Sequence, residues 1–198
     1  MPTTLTLKNF PDELYERLKA SNDKVGLCIQ SYLFRTPADL ERLLAIKPAI
    51  RLVKGAYAEP ADVAFPAKKD TDAQYISLGE RLLEAARAGQ AFPVFGTHDM
   101  TIVNRLVAKA AALGVAPGQF EVHMLYGIRS AEQRALAAQG HRVIGTATTD
   151  AGALGITEAL AGHVGCRGIA LDVTDGAATD AAVDNLIKAE GVLHVDDH

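Results

Sequence analysis

The sequence predicts an α/β protein built from a parallel β/α repeat. Short apolar runs alternate along the chain with longer segments whose apolar residues recur at helical spacing. Most of the short runs are nearly continuously apolar, which is typical of parallel strands covered on both faces. Strand–helix–strand repetition at this pitch indicates a parallel sheet with right-handed crossovers.

The predicted strands are spread along the chain after its first twenty residues. They are residues 25–33 (VGLCIQSYL), 49–57 (AIRLVKGAY), 92–98, 120–127, 141–148, 167–174 and 192–195. A short run at 5–8 brings the total to about eight, the number in a β/α barrel, although such barrels usually need at least about 200 residues. The sequence therefore leaves open an incomplete or small β/α barrel and an open sheet.

The predicted helices fill the intervals between these strands. Residues 36–44, 72–89 and 101–113 carry apolar residues on one helical face. Glycines suited to left-handed caps follow at Gly89, Gly114 and Gly140. The segment 58–71 interrupts the alternation of strands and helices and is predicted to be a long loop at the edge where strands end. It is either a functional loop or a mobile surface connection.

The composition excludes several classes of protein. With 48% hydrophobic and 22% charged residues, the chain is typical of a globular protein and not of a disordered one. A net charge of −4 gives no general attraction to nucleic acid or to an anionic membrane. No apolar run approaches the length of a membrane span, and the N-terminus lacks the features of a signal peptide. We expect a cytoplasmic protein without a membrane partner.

The cysteines and histidines do not form a recognisable metal site. Cys28 and Cys166 are too few for a disulfide scaffold. We expect Cys28 to be a buried, inert thiol and both cysteines to be structural. His98, His123 and His141 lack the spacing of zinc ligands, so no metal is predicted.

Polar residues follow the apolar parts of several predicted strands. They are Gln30 on the first strand, Arg51 and Lys54 on the second, Thr97 and His98 on the third, and His123 on the fourth. Gly55, next to Lys54, would allow a ligand to approach the backbone closely. The carboxyl ends of parallel strands are where ligands bind, and cations with an amide suit a phosphate or a flavin ring. Alternatively, a lysine or arginine in a strand simply pairs with a carboxylate of a neighbouring element.

Four segments resemble successive strands of the proline dehydrogenase family. They are VGLCIQSYL, RLVKGAY, FGTHD and FEVHMLYGIR, in the family's order, and the resemblance covers residues 25–143. It implies a distorted β/α barrel in which FAD oxidises proline by hydride transfer to the flavin. Carried over residue by residue, the resemblance implies that Gln30 would form a hydrogen bond with the edge of the isoalloxazine ring. Arg51 would lie near the reactive nitrogen of the flavin. The remaining implied contacts are Lys54, Gly55 and Ala56 along the cofactor, and Thr97 and His98 at its phosphate and ribose.

The chain also departs from this family's pattern. His123 stands where the family usually has glutamine. The family's early strands and its final helix, which holds the substrate carboxylate, have no counterpart, and no Tyr–x–Arg–Arg pattern follows Arg129. The resemblance therefore implies a flavin-binding protein impaired or inactive in proline oxidation, and it assigns no catalytic residue.

The first twenty residues resemble the opening of ribbon-helix-helix antitoxins and repressors. That resemblance implies a strand that pairs in a homodimer and faces DNA through Thr4, Thr6 and Lys8. The alternative function is thus an antitoxin or repressor-like protein that neutralises a toxin partner or binds DNA. An edge strand with a covering helix explains the same residues, and we do not expect nucleic acid to be a partner.

The C-terminal part resembles short-chain β-ketoacyl-carrier-protein reductases. Asp172 and Val173 would match adenine contacts, but the glycine-rich turn and the catalytic residues of that family are absent. We therefore divide the chain into 1–20, 21–143 and 144–198, with the last segment packed into the same domain as the second. Three resemblances that meet at abrupt joins suggest a mosaic or generated sequence.

Overall fold

The computed structural model describes residues 12–21, 25–116, 118–124, 130–172, 174–179, 181–182 and 185. The predicted α/β fold with parallel strands is confirmed. The helices are α1 Asp12–Ser21, α2 Thr36–Leu43, α3 Lys68–Arg87, α4 Met100–Leu113, α5 Ser130–Ala138 and α6 Asp150–Ala159, with a 3-10 turn at Leu44–Ile46. The strands are β1 Gly26–Gln30, β2 Ala49–Val53, β3 Phe92–Gly96, β4 Glu121–His123, β5 Ile144–Ala147 and β6 Arg167–Ala170.

The strands divide between two sheets. One sheet has four parallel strands in the order β1-β2-β3-β4, and the other pairs β5 with β6 in parallel. The chain correspondingly forms two compact units. We call Thr3–Met124 the N-terminal unit, and Leu125–His198 with Met1–Pro2 the C-terminal unit.

The core of the N-terminal unit lies between its helices and one face of its sheet. Strand order follows chain order without reversal, which is the arrangement of a β/α barrel and not of a doubly wound sheet. Ile50, Leu52 and Phe95 are fully buried against α3 and α4. The hydroxyl of Tyr75 on α3 donates a hydrogen bond to the carbonyl oxygen of Leu52 at 2.9 Å. Burial raises the pKa of this tyrosine well above its ordinary value.

Helix α1 belongs to the same core through Tyr15, whose exposed fraction is 1%. Its hydroxyl donates to the carbonyl oxygen of Val25 at 3.2 Å, just before β1 begins. Burial raises the pKa of Tyr15 to about 12. The covering helix that could explain part of the first twenty residues is thus present as α1. The strand predicted at 5–8, with Thr4, Thr6 and Lys8, lies outside the described residues.

The predicted loop at 58–71 is shorter in the structure. Helix α3 begins at Lys68, because Ala67 is extended and Asp70 then lies in the first turn at the positive end of the helix. The predicted strands 25–33 and 49–57 are also shorter, since a turn begins after Gln30 and irregular chain follows Val53. The predicted glycine caps are confirmed, with positive φ angles of 66° at Gly89, 71° at Gly114 and 89° at Gly140.

The C-terminal unit has a small core in which Ala137, Ile156 and Leu160 are buried. Gly168 on β6 lies against α6: a Cβ atom there would be 2.1 Å from the carbonyl oxygen of Ala153. Its amide donates to the hydroxyl of Thr157 at 2.9 Å. A glycine is therefore required for the helix to approach this strand so closely.

The expectation that Cys28 is buried is wrong, because its side chain is only half-buried, as is that of Cys166. The Cys166 thiol contacts the loop before β5, accepting from the amide of Val143 at 3.2 Å. Cys28 lies beside Arg51 on the sheet face opposite Ile50 and Leu52. Among the described residues, no cluster of His, Cys, Asp and Glu could hold a metal ion. Nor is any described helix both long and apolar enough to span a membrane.

Candidate functional site

The sheet of the N-terminal unit carries polar residues on the face opposite its helices. Neighbouring parallel strands in register point their side chains to the same side, and side chains alternate along each strand. The last paired row is Gln30, Val53, Gly96 and His123, and the row two residues earlier is Cys28, Arg51, Val94 and Glu121. We call this surface the polar face. It ends at the carboxyl edge of the sheet, where the sequence predicts the site.

Arg51 extends across the middle of the polar face. One of its terminal nitrogens lies 3.9 Å from the sulfur of Cys28 on β1. On the other side, a Cβ atom at Gly96 would be 3.4 Å from the guanidinium carbon of Arg51 and 3.0 Å from a methyl carbon of Val53. The glycine on β3 therefore leaves the space that the guanidinium group occupies.

His123 and Glu121 form a pair on the same face. The Nε2 atom of His123 is 3.0 Å from Oε2 of Glu121, and both side chains are half-buried. Sequence reasoning did not single out Glu121. Its position two residues before His123 on one strand was the available signal, because residues at that spacing share a sheet face.

Lys54 pairs with carboxylates, as one alternative reading of the sequence predicted. Its ammonium group is 2.6 Å from Oδ1 of Asp72 on α3 and 3.0 Å from Oδ2 of Asp99. Lys68 also pairs with Asp72 and lies 3.6 Å from Asp99. We call these four residues the ion-pair cluster. A role for Lys54 in lining a cofactor stays a prediction.

The ion-pair cluster alters the pKa values of Asp72, Asp99 and Lys68. The hydrogen bond from Lys54 holds the pKa of Asp99 below its ordinary value. Partial burial alone would raise the pKa of Asp72, but hydrogen bonds from Lys54 and Lys68 outweigh it, and that pKa is also lowered. The hydrogen bond to Asp72 raises the pKa of Lys68. Asp72, Asp99 and Lys68 are therefore charged near neutral pH.

The loop between β3 and α4 is fixed by local hydrogen bonds. Asp99 is the N-cap of α4, accepting from the amide of Thr101 at 3.2 Å. Its own amide donates to the hydroxyl of Thr97 at 3.2 Å, and the Thr97 amide donates to the carbonyl oxygen of His123 at 3.3 Å. Thr97 is buried and His98 is half-buried. Both lie at the carboxyl edge of the sheet, as predicted.

Two further loops are joined at the same edge. Gly55 has a φ angle of 129°, and a Cβ atom there would lie 2.5 Å from the ring of Tyr32. The Gln74 side chain donates to the carbonyl oxygens of Ser31 and Leu33 at 2.7 and 2.9 Å, which ties the β1–α2 turn to α3. Gly55 and Ala56, both of which are exposed, therefore lie at the carboxyl edge of the sheet beside a turn that hydrogen bonds hold in place.

Comparison with known proteins identifies the family. A family model described as proline dehydrogenase matches residues 3–149. The chain belongs to the proline dehydrogenase family. It is 43% identical over 121 residues to the proline dehydrogenase of Deinococcus radiodurans, covering 61% of this chain and 38% of that protein. It is 38% identical over 130 residues to proline dehydrogenase 1 of Bacillus subtilis (strain 168), covering 66% of this chain and 42% of that protein.

A solved structure supports the fold. The chain resembles proline utilization A (PutA) from Bdellovibrio bacteriovorus, inactivated by N-propargylglycine, with a TM-score of 0.59 and 24% identity. This likeness covers 66% of the chain and 16% of that protein. The chain thus spans at most 42% of the two curated relatives named above.

The family match bears on the other resemblances predicted from the sequence. It begins at residue 3 and ends at residue 149, so the expected joins near Ala20 and Val143 both lie inside it. The likeness to ribbon-helix-helix antitoxins, the likeness to reductases and the mosaic origin remain predictions that these comparisons do not support.

The structure brings the predicted site residues together in two groups. Gln30 and Arg51 share the polar face with His123 and Glu121. The second group surrounds the carboxyl edge of the same sheet and consists of Lys54, Gly55, Ala56, Thr97 and His98. Contact of any of these residues with a cofactor stays a prediction.

Proposed function

We propose that the N-terminal unit binds FAD, with the isoalloxazine ring lying on the polar face. Members of the proline dehydrogenase family are flavoenzymes, which supports a flavin in this chain. The observation that carries the proposal is the placement of Arg51. Its guanidinium group lies along the polar face beside Gly96, where a Cβ atom would already come within 3.4 Å of it.

The residues of the polar face suit a flavin chemically. A cation beside the ring stabilises the negative charge that a reduced flavin carries, and an amide such as Gln30 can bond the ring's carbonyl and N–H groups. Gly55 and Ala56 lack bulky side chains, so a ligand can approach the backbone at the carboxyl edge of the sheet. Thr97 and His98 are the proposed contacts of the phosphate and ribose.

A bound flavin would supply the acceptor for a hydride from the ring carbon of proline. For the 198-residue chain taken alone, we predict little or no proline oxidation. No Tyr–x–Arg–Arg pattern follows Arg129, and paired arginines that hold a carboxylate are difficult to replace.

Titration with FAD tests the proposal. We expect saturable uptake with quenching of flavin fluorescence, and weaker uptake of FMN, which lacks the adenylate part. Arg51→Gln should weaken FAD binding at least tenfold, the effect of losing about 1.5 kcal/mol from a charged hydrogen bond. Arg105→Gln on α4, which alters an exposed ion pair with Glu80 of α3, is the matched control and should bind as the parent does.

Two outcomes would contradict this function. One is a protein that takes up neither FAD nor FMN although its circular dichroism shows a folded chain. The other is an Arg51→Gln variant with unchanged affinity, which would place the ring elsewhere. If added proline causes the protein to reduce an electron-accepting dye, the prediction of impaired proline oxidation is wrong. The proposal of flavin binding would stand.

A further inference from the structure

Lys54 joins three elements at the carboxyl edge of the sheet. It directly follows β2, and its carbonyl oxygen accepts a hydrogen bond from the amide of Tyr32, in the β1–α2 turn, at 3.0 Å. Its ammonium group is 2.6 Å from Oδ1 of Asp72 on α3 and 3.0 Å from Oδ2 of Asp99, the residue before α4. Lys54 therefore connects the β1–α2 turn with α3 and with the start of α4.

Asp99 extends this connection into the β3–α4 loop, residues 97–99. Its Oδ2 atom accepts the hydrogen bond from Lys54, whereas its Oδ1 atom accepts from the amide of Thr101 and caps α4. Its own amide donates to the hydroxyl of Thr97 at 3.2 Å. The two carboxylate oxygens thus have separate partners, one that caps the helix and one that ties the loop to β2.

Lys54 is the better shielded of the two cations in the ion-pair cluster. Lys68 also pairs with Asp72 and lies 3.6 Å from Asp99, but its side chain is 73% exposed, against 25% for Lys54. An exposed ion pair contributes little, because water screens it and ordering its long side chain costs entropy. Without Lys54, repulsion between the two carboxylates would displace Asp99 and its loop from α3.

We propose that Lys54 is a positioning residue for bound FAD. Through its ion pair with Asp99, it holds the β3–α4 loop at the phosphate and ribose part of the cofactor. The inference rests on the flavin-binding function proposed above, in which that loop carries the phosphate and ribose contacts. In this role the ammonium group serves the loop and not the cofactor itself, in contrast to the lining contact that the family resemblance implies.

This role predicts a loss of affinity that depends on the part of the ligand present. Riboflavin has the ring and the ribityl chain but no phosphate, so it does not need the β3–α4 loop. Displacing the loop should weaken FAD binding about tenfold, the effect of one charged hydrogen bond, and riboflavin binding less than about twofold. At saturating FAD, the visible absorption bands of the bound flavin should stay as in the parent, because the surroundings of the ring are unchanged.

Fluorescence titrations with FAD and with riboflavin test the inference. Lys54→Met removes the ammonium group and keeps a long side chain. Asp99→Asn removes the charge at Asp99 and keeps a residue that caps a helix equally well. Both variants should lose affinity for FAD selectively. Lys54→Arg keeps the positive charge and should bind FAD within about threefold of the parent.

Lys109→Met is the matched control. Lys109 lies farther along α4, is 30% exposed and also has two carboxylate partners, Glu80 and Glu84 of α3. The variant therefore removes a similar pair of ionic contacts at a distance from the β3–α4 loop. It should bind FAD and riboflavin as the parent does.

The double variant Lys54→Met/Asp99→Asn distinguishes action through Asp99 from direct contact with a phosphate. If Lys54 acts through Asp99, the double variant should bind FAD about as weakly as the weaker single variant, because both changes remove the same pair. Direct contact predicts the opposite for Asp99→Asn alone. Releasing Lys54 from a competing carboxylate would then preserve or strengthen FAD binding, and that result would overturn the inference.

The remaining outcomes separate this inference from the proposed function. If Lys54→Met binds FAD as the parent does, or loses riboflavin and FAD equally, the positioning role is wrong and flavin binding stands. Absence of FAD binding by the parent would contradict both proposals. If circular dichroism shows that Lys54→Met does not fold, Asp99→Asn decides the question with the same two ligands, since it retains the cap of α4.

Discussion

The two units of this protein are packed in different ways. The largest fully buried side chains of the N-terminal unit include Tyr15, Tyr75, Phe95, Leu82 and Leu106. In the C-terminal unit the buried cluster of the described residues consists of Ala137, Ile156 and Leu160, and large residues such as Leu154 and Val164 are 59% and 98% exposed. Large side chains buried between the helices and the sheet stabilise the N-terminal unit. The C-terminal unit depends instead on the close approach of α6 to β6 at Gly168.

The family match covers the whole N-terminal unit and part of the C-terminal unit. Residues 3–124, the body of the N-terminal unit, lie wholly inside the matched region 3–149. The polar face and the ion-pair cluster belong to the same unit. A site that must hold its groups in fixed positions needs rigid support, which a large packed core supplies.

The largest expected effect comes from removing volume in the N-terminal unit. Phe95→Ala should lower the free energy of unfolding by about 3–5 kcal/mol, because the ring is fully buried between β3 and α3. Tyrosine fluorescence during urea unfolding is the measurement, as Tyr15, Tyr32, Tyr57 and Tyr75 all lie in this unit. Phe34→Ala, at a residue that is 44% exposed, is the control and should cost much less. Equal losses for the two variants would contradict the described core.

A smaller effect is expected where backbone approaches backbone in the C-terminal unit. Gly168→Ala should destabilise this unit by about 1–3 kcal/mol, because the new methyl group would collide with the Ala153 carbonyl of α6. Hydrogen exchange of the amides of β5 and β6 measures the loss. Gly155→Ala on the same helix meets nothing within 4 Å and should be neutral or mildly stabilising. Faster exchange in both variants, or in neither, would show that the close contact is not what matters.

The smallest effect concerns charge in the N-terminal unit. Asp72→Asn should cost about 1 kcal/mol at pH 7, since the side chain is partly exposed and Lys54 keeps Asp99 as a partner. The pKa of Asp72 is lowered in the folded protein, so its contribution is present above about pH 4, the unfolded value, and is lost as pH falls through the folded pKa. Urea unfolding at pH 7 and at pH 3 should therefore show parent and variant converging in acid.

Asp62→Asn provides the comparison for that measurement, because Asp62 is exposed in the preceding loop. It should change stability by less than about 0.5 kcal/mol at either pH. A difference between parent and Asp72→Asn that is the same at pH 3 and pH 7 would mean that packing, and not charge, is responsible.

Much of the fold could be predicted from local patterns. Continuous apolar runs located β1 to β6, and glycines located three helix ends, because strand and helix periods and left-handed caps are properties of short segments. The start of α3 was missed by four residues, since Pro66 and two lysines resemble a loop until Asp70 is seen as a residue of the first turn. The available signal for Glu121 was its position two residues before His123, because residues at that spacing in a strand share a sheet face.

The sequence by itself determined the parallel β/α repeat, the family, and the collection of polar residues at the ends of strands. Only the tertiary structure decided which polar residues act together. Strand register places Gln30, Arg51, Glu121 and His123 on one face. The packing of α3 and α4 instead turns Lys54 toward Asp72 and Asp99. The reason is physical: alternation along a strand assigns a side chain to one of two faces, but its partners come from elements distant in sequence.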